Sequence, residues 1–543
     1  MSMQEDNLPR LPDGWVWVRL GDICLDPQYG WTTRAKTNGT LHLLRTTDIT
    51  SGQINWNNVP FCEIEPPEPA KYLLNDGDIL ISRAGSIGSS IMIKNPPLAI
   101  FASYLIRFRT LIDVSYLAYF LQSPLYWKSI SEKKIGITIP NINATKLKQI
   151  MVPLPPLQEQ KRIVTKLEEL FSRLDAGVEA LKKAREQVKR YRQSVLKKAF
   201  EGRLTEQWRI TNKDRLEPAS ILLERIKEEK KKRDKKFKEL EPLDTSGLPR
   251  LPDGWVWVRV SDICYLINGR VFKPNEWSAS GLPIVRIQNL NNPNASFNYC
   301  NFDVDTKYII DSGQLLFAWS GTPITSFGAH IWRGGKAVLN QHIFRVEMYG
   351  DYINKYYLMY VLNHNVVEYI NKAHGGVGLA HITKMKFESS FIPLPPLQEQ
   401  KRIVEEIERL FSIADHAEKI IEHSLAQADR LRQSILKKAF EGKLVPQDPT
   451  DEPASMLLEK IKLEKATKIK SSNNRRSINN NHDNNSSNYD HIYMADLRME
   501  KYEYDGKRMM AKGRTKRGGR GKGRGRRRKR YTVMDDEHQM RLI

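Results

Sequence analysis

The sequence predicts two α/β domains joined by two long helices. The helices would pair as an antiparallel coiled coil in a tandem pseudo-twofold repeat, followed by a disordered basic C-terminal tail. Three observations predict this. Pro153-Leu-Pro-Pro-Leu-Gln-Glu-Gln-Lys-Arg-Ile-Val164 returns letter for letter at Pro393–Val404, Leu8–Arg19 returns at Leu248–Arg259, and Leu196–Gly202 returns at Leu436–Gly442. All three pairs keep one offset of 240 residues. Between these islands the copies diverge: Arg45-Thr-Thr-Asp-Ile49 faces Arg286-Ile-Gln-Asn-Leu290, and Ser82–Gly88 faces Trp319-Ser-Gly-Thr-Pro323.

Each copy opens on Leu-Pro-Asp-Gly, a turn, followed by Trp15-Val-Trp-Val-Arg-Leu20 or Trp255-Val-Trp-Val-Arg259, rich in strand formers. Short strand-like runs follow at Leu41–Arg45, Asp78–Ser82, Ile91–Ile93 and Ala102–Arg109, with helical patterning from Ser115 to about Ser131. The second copy repeats the grammar, with strands at Leu315–Trp319 and His342–Val346.

From Leu157 the period changes to threes and fours through Ile163, Leu167, Leu170, Leu174, Val178, Leu181, Ala184, Val188, Tyr191 and Val195, mostly a heptad seam. Two steps of four from Leu170 to Val178 form a stutter, where pairing should be looser. Pro155-Pro156 stands where a helix start accepts proline, Glu159 lies in the first turn, and Gly202 ends the run. A helix from Gln158 to Phe200 would be ~64 Å long. Its partner at 398–440 has the seam Ile403, Ile407, Leu410, Ala414, Ile421, Ala428, Leu431 and Ile435. Two such helices can bury their stripes against each other.

A second helix follows each repeat, beginning at Glu217-Pro-Ala-Ser and Glu452-Pro-Ala-Ser. The first runs into the charge-dense Glu228–Lys238 and reads as a solvated linker helix; the second fades near Lys470 into an Asn/Ser-rich tract too polar to fold. The chain thus divides into a first α/β domain (1–152), first long helix, second helix and linker (153–247), second α/β domain (248–392), second long helix and distal helix (393–470), and tail (471–543).

Composition narrows the function. No apolar run approaches the ~20 residues of a membrane helix, and Met1-Ser-Met-Gln-Glu-Asp6 does not resemble a signal peptide. The four cysteines, Cys24, Cys62, Cys264 and Cys300, form no Cys-x-x-Cys pair, as expected of reduced thiols in a cytoplasmic protein. The net charge is +23, of which residues 513–530 supply +11, leaving +12 over the other 525, enough to favour a polyanion.

Catalytic motifs are missing. Asn95-Pro-Pro-Leu98 is similar to the Asn-Pro-Pro-aromatic loop of amino-methyltransferases, but its fourth residue is Leu and no methyl-donor loop precedes it, so a plain turn is the better reading. His374-Gly-Gly-Val-Gly378 lacks the Lys-Ser/Thr of a phosphate loop and reads as a turn. No metal-ligand cluster or nucleophile elbow is present.

What remains is recognition, which uses arginine, lysine, amides and hydroxyls on a rigid frame. The first insert offers Tyr29, Trp31, Thr32, Thr33, Arg34, Lys36, Arg45, Thr46, Thr47, Arg83 and Ser86; the second offers Arg270, Lys273, Arg286, Gln288, Asn289, Trp319, Ser320 and Thr322.

The Pro-Leu-Pro-Pro-Leu-Gln-Glu-Gln-Lys-Arg-Ile-Val segment, Trp15 with Leu20-Gly-Asp-Ile23, Gly77-Asp-Ile-Leu-Ile-Ser-Arg83 and both Leu-Lys-Lys-Ala-Phe-Glu-Gly segments resemble the specificity subunit of type I restriction–modification systems, over residues 8–470. The resemblance implies a non-catalytic subunit with two target-recognition domains, each reading half of a bipartite, asymmetric double-stranded DNA site. It implies helices that fix the spacing and dock two methyltransferase subunits, with restriction subunits joining the complex. No cofactor is expected on this chain; S-adenosylmethionine, ATP and Mg would lie in the partner subunits. The alternatives are a coiled-coil scaffold or RNA-binding protein acting through the basic tail, and a self-contained DNA-modifying enzyme.

Overall fold

The computed structural model describes residues 8–133, 141–233, 241–292, 294–321, 327–366, 369 and 380–480. The first domain contains β1 (Val16–Arg19), β2 (Gln28–Tyr29), β3 (Ala35–Lys36), β4 (His42–Leu44), β5 (Phe61–Cys62), β6 (Ile79–Ser82), β7 (Ser90–Met92), β8 (Ala99–Phe101), β9 (Leu105–Phe108) and β10 (Met151–Leu154). They form an antiparallel sheet β2-β9-β6-β7, a mixed sheet β3-β5-β4-β8 in which β4 and β8 run parallel, and the pair β1-β10.

The second domain contains β11 (Val256–Arg259), β12 (Cys264–Asn268), β13 (Leu282–Val285), β14 (Asn298–Cys300), β15 (Ile309–Ile310), β16 (Leu315–Ala318), β17 (Ser320–Gly321), β18 (Gly328–Ile331), β19 (Ala337–Leu339), β20 (Ile343–Met348), β21 (Ala380–His381) and β22 (Phe391–Leu394). Its sheets are β12-β20-β16-β18, β14-β13-β19-β15, β11-β22 and β17-β21, with β13 and β19 parallel.

Ile79-Leu-Ile-Ser82 is buried throughout because side chains alternate across a strand and both faces are covered. Ile79 and Ile81 enter the core shared with the helices, whereas Leu80 enters a smaller core behind the mixed sheet. Leu315 and Phe317 divide from Leu316 in the same way.

The repeated islands touch one another, which accounts for their constancy. Val16 pairs with Leu154 and Trp17 with Pro153; Val256 pairs with Leu394 and Trp257 with Pro393. Trp15 donates its indole N–H to Glu159 at 2.9 Å, and Trp255 to Glu399 at 2.8 Å. Tyr116 and Tyr357 donate their hydroxyls to the carbonyls of Pro153 and Pro393, at 2.6 and 2.8 Å.

The long helices span Leu157–Phe200 and Leu397–Phe440 and lie against each other. Arg192 pairs with Asp415 and Arg432 with Asp175, so rising numbers on one helix meet falling numbers on the other. Ile163, Leu167 and Phe171 at the start of the first helix belong to the core of the first domain, while Val195, Ala199 and Phe200 at its end belong to that of the second. The second helix runs the reverse course: Ile403 and Ile407 enter the second core, and Ile435, Leu436, Ala439 and Phe440 the first.

Four expectations need correction. Tyr191 and Leu431, assigned to the seam, are exposed, because Arg192 and Arg432 next to them lean across over the rings of Phe411 and Phe171. Between the helix ends the first seam is only half-buried, at Leu174, Val178, Leu181, Ala184 and Val188. The helix Ala219–Arg233 is not merely a solvated linker, since Ala219 and Ile226 pack into the second core and Lys230 donates to the Ser261 carbonyl. The distal helix Ala454–Asn480 runs past Lys470, as extending a nucleated helix adds one hydrogen bond per residue fixed. Glycine-rich 374–378 and the arginine-rich 513–530 lie outside the described residues.

Candidate nucleic-acid interface

One backbone frame recurs at the same end of both domains. In the first, Ala102 N donates to Leu44 O (2.9 Å), Leu105 N to Ala102 O (2.9 Å) and Arg83 N to Tyr104 O (2.9 Å). Gly30 N donates to Leu105 O (3.2 Å), Trp31 N to Phe101 O (2.8 Å) and Ile142 N to Arg83 O (3.0 Å). In the second, Asn340 N donates to Val285 O (3.1 Å), Ile343 N to Asn340 O (3.2 Å) and Trp319 N to His342 O (3.2 Å). Gly269 N donates to Ile343 O (3.1 Å), Arg270 N to Leu339 O (2.9 Å) and Ile382 N to Trp319 O (3.1 Å). Glycine is required at the crossing: a Cβ on Gly30 would lie 2.3 Å from Ala102 O, and one on Gly269 2.1 Å from Asn340 O.

The frame therefore matches positions 29 with 268, 31 with 270, 45 with 286, 83 with 319 and 104 with 342. In the first domain the Arg83 guanidinium lies 5.1 Å from the centre of the Tyr29 ring, and its buried Nε has no hydrogen-bond partner among the described residues. The Ser86 hydroxyl is likewise unpartnered, and Tyr104 is 60% exposed at the tip of the β8–β9 turn. Arg45 is clamped, with Nε and a terminal nitrogen on Asp48 at 3.0 and 2.8 Å.

In the second domain Trp319 stacks on Phe344 and lies 5.4 Å from His342, while its indole N–H reaches Asn268 Oδ1 at 3.3 Å. Burial holds the His342 imidazole below its ordinary pKa, and its Nδ1 has no partner among the described residues. Arg270 sits between Phe272 and Phe302 and donates to Glu276 at 2.5 Å, with its other terminal nitrogen unpartnered. Arg286 lies over Trp277; Asn289 takes the place of Asp48 and binds the Arg286 backbone N–H (3.0 Å), leaving the Arg286 Nε unpartnered. Five buried polar atoms without a hydrogen-bond partner among the described residues thus lie at the two edges.

Other residues singled out in the sequence are spent on structure or lie elsewhere. Trp31 donates to Ile64 O at 2.8 Å and packs on Tyr72, and Thr33 accepts from Ile64 N at 3.0 Å. Arg34 and Lys36 are exposed at the outer strand of the mixed sheet, with β5 and β4 between them and β8. Thr46 and Thr47 form the short turn Thr46–Asp48 after β4, half-buried and exposed respectively. Asn289 is buried and donates to the carbonyls of Ala295 and Ser296, so it is a loop clamp, and a surface role for it is withdrawn. Gln288 is exposed and reaches Ser296 O at 3.4 Å; Lys273 is exposed at the Pro274–Glu276 turn. Ser320 pairs through its backbone with His381, and Thr322 lies outside the described residues. Sequence reasoning missed Tyr104, Asn268 and His342. The signal was available: Ala102-Ser-Tyr-Leu and Asn340-Gln-His-Ile both sit in a turn just before a buried strand.

Asn95-Pro-Pro-Leu98 is a turn, with Asn95 at φ 43° and its N–H on Asp76 at 2.9 Å. Among the described residues no group of His, Cys, Asp and Glu is arranged to hold a metal, and no helix is long and apolar enough to cross a membrane.

Two polar edges, differing in side chains but alike in frame, are thus carried on a shared helical body. A family model described as "Type I restriction modification DNA specificity domain" matches residues 12–188 and 252–423, and the chain belongs to this family. It is 26% identical to the type I restriction enzyme EcoKI specificity subunit of Escherichia coli K12, over 84% of this chain and 97% of that one. It is 29% identical to the EcoDI specificity subunit of Escherichia coli, over 63% and 76%. A chain solved in work on complex assembly and conformational transition of the type I R-M system superposes with a TM-score of 0.59, at 21% identity, over 80% of this chain and 100% of that one. At that identity the likeness is one of fold.

Proposed function

We propose that this chain is the non-catalytic DNA-recognition subunit of a type I restriction–modification complex, and that each domain reads one half of a bipartite, asymmetric site. One observation carries the reading: the same six backbone hydrogen bonds present different side chains in the two domains. A constant frame with two sets of polar and aromatic groups suits two different base sequences.

The long helices act as an antiparallel coiled-coil spacer between the two readers. The reading is supported by the matched cross-helix contacts, Arg192 with Asp415 over Phe411 and Arg432 with Asp175 over Phe171. The spacer must be stiff, because each base pair between the half-sites turns one half about 34–36° relative to the other (~10 pairs per turn). The same helices dock two methyltransferase subunits, which bring S-adenosylmethionine. Restriction subunits supply ATP- and Mg-dependent chemistry. The complex works in the cytoplasm.

The test is base-resolution adenine methylation of DNA from cells carrying this chain with its methyltransferase subunit. The expected result is a split motif with a fixed unread spacer that disappears when this chain is omitted. A motif that persists without the chain would refute the reading.

A further inference from the structure

The recognition frame allows each domain to serve as the control for the other. Both domains hang five positions on the same hydrogen bonds, and among these five only positions that differ can contribute to a difference between the two half-sites. Arginine occupies one of them in both copies, Arg45 and Arg286. The other four differ, as Tyr29 and Asn268, Trp31 and Arg270, Arg83 and Trp319, and Tyr104 and His342.

Of those four, two are largely spent inside the protein. Trp31 gives its N–H to Ile64, and Arg270 is held by Glu276 through one terminal nitrogen while the other has no partner among the described residues. The Tyr29 hydroxyl accepts from Ala144 N at 3.0 Å, and Asn268 accepts from Trp319. What remains is a pair of neighbours in each domain. Arg83 and Trp319 each donate a backbone N–H to the carbonyl of the other member, Tyr104 or His342. Among the described residues, Arg83 Nε of the first pair is unpartnered and the Tyr104 ring stands out of the surface, while in the second pair His342 Nδ1 is unpartnered beside the Trp319 ring.

Resting on the function proposed above, we infer that Arg83–Tyr104 and Trp319–His342 are the specificity-determining pairs for the two half-sites, whereas Arg45 and Arg286 make a contact common to both. Each pair joins a hydrogen-bonding group to an aromatic face, which suits a base edge and its neighbour. The shared arginine suits the DNA backbone, which is alike in every sequence.

The test uses the full chain assembled with its methyltransferase subunits and duplexes altered one base pair at a time in either half. Tyr104 is exposed, so Tyr104→Ala leaves the fold intact. It is expected to lose at least about tenfold of discrimination at one or two positions of one half and none in the other. His342→Ala is expected to do the same in the opposite half. Arg45→Ala is expected to weaken binding to every duplex alike and to lower the slope of log K against log salt by about 1. The inference is overturned if Tyr104→Ala and His342→Ala leave discrimination untouched, if either weakens all duplexes equally, or if Arg45→Ala changes preference in one half. An unaltered complex that discriminates in neither half would overturn both the inference and the function beneath it.

Discussion

Glu159 and Glu399 occupy equivalent buried places and meet different neighbours. Glu399 accepts from Trp255, from the Thr205 hydroxyl at 2.7 Å and from Arg209 at 2.6 Å. Glu159 accepts from Trp15 and, at 3.3 Å, from the Gln447 amide, with no cation in direct contact among the described residues, and burial raises its pKa. Glu399→Gln should therefore destabilise the protein by about 3–5 kcal/mol, since it strands Arg209, whereas Glu159→Gln should be neutral or stabilising at neutral pH. The pH dependence of the second variant has a definite sign. A carboxyl raised on folding binds more protons folded than unfolded, so its contribution is fully present below the ordinary carboxyl pKa and is lost as pH rises through the raised folded value. The advantage of Glu159→Gln over the parent should thus be largest at neutral pH and shrink towards about pH 4, as denaturant titrations at the two pH values would record. An unchanged gap would mean that folding does not shift the Glu159 carboxyl. None of this asymmetry was legible in the sequence. Both glutamates sit in identical dodecapeptides, where they read as first-turn complements to a helix dipole, and each acquires its partners from residues 144 or more positions away.

The long helices were legible in length and amphipathicity, because a 3.6-residue period needs no knowledge of the partner. Which residue crosses the seam was not. Tyr191 and Leu431 fit the period, yet the arginines beside them cross, each finding a ring and a carboxylate on the other helix. The helix ends were read as part of the same stripe and prove to be core residues of the opposite domain. The Phe440 ring lies 5.3 Å from Tyr116 and 5.4 Å from Phe120, and the Phe200 ring 5.7 Å from Tyr357. Phe440→Ala, though placed in the second repeat, is expected to cost about 3–5 kcal/mol and to loosen the first domain. Hydrogen exchange should show faster amides in Val114–Phe120 and little change in Lys355–His364. Loss of protection confined to the second domain would contradict the crossing.

At the scale of the whole molecule, that crossing closes the chain on itself. The first half sends Val195, Phe200 and Ile226 into the second core, and the second half returns Ile435, Leu436, Phe440 and Ile461 to the first. Further ties run the same way: Ala454 N donates to Gly14 O at 2.9 Å, Ala219 N to Gly254 O at 2.9 Å, Arg162 to Asp451 at 2.6 Å and Lys465 to Gly21 O at 2.6 Å. Burying those seven large apolar side chains stabilises the association by roughly 10–20 kcal/mol, before the helix seam is added. Bringing two free pieces together costs about 4–15 kcal/mol. The balance favours association even without a covalent link between the halves. A protease site inserted between Asp244 and Thr245, both exposed, provides the test. After cleavage the two fragments should remain one particle by native mass spectrometry and unfold in a single transition near that of the intact chain. Fragments that part on dilution would show that each domain closes its core without the helix end supplied by the other half.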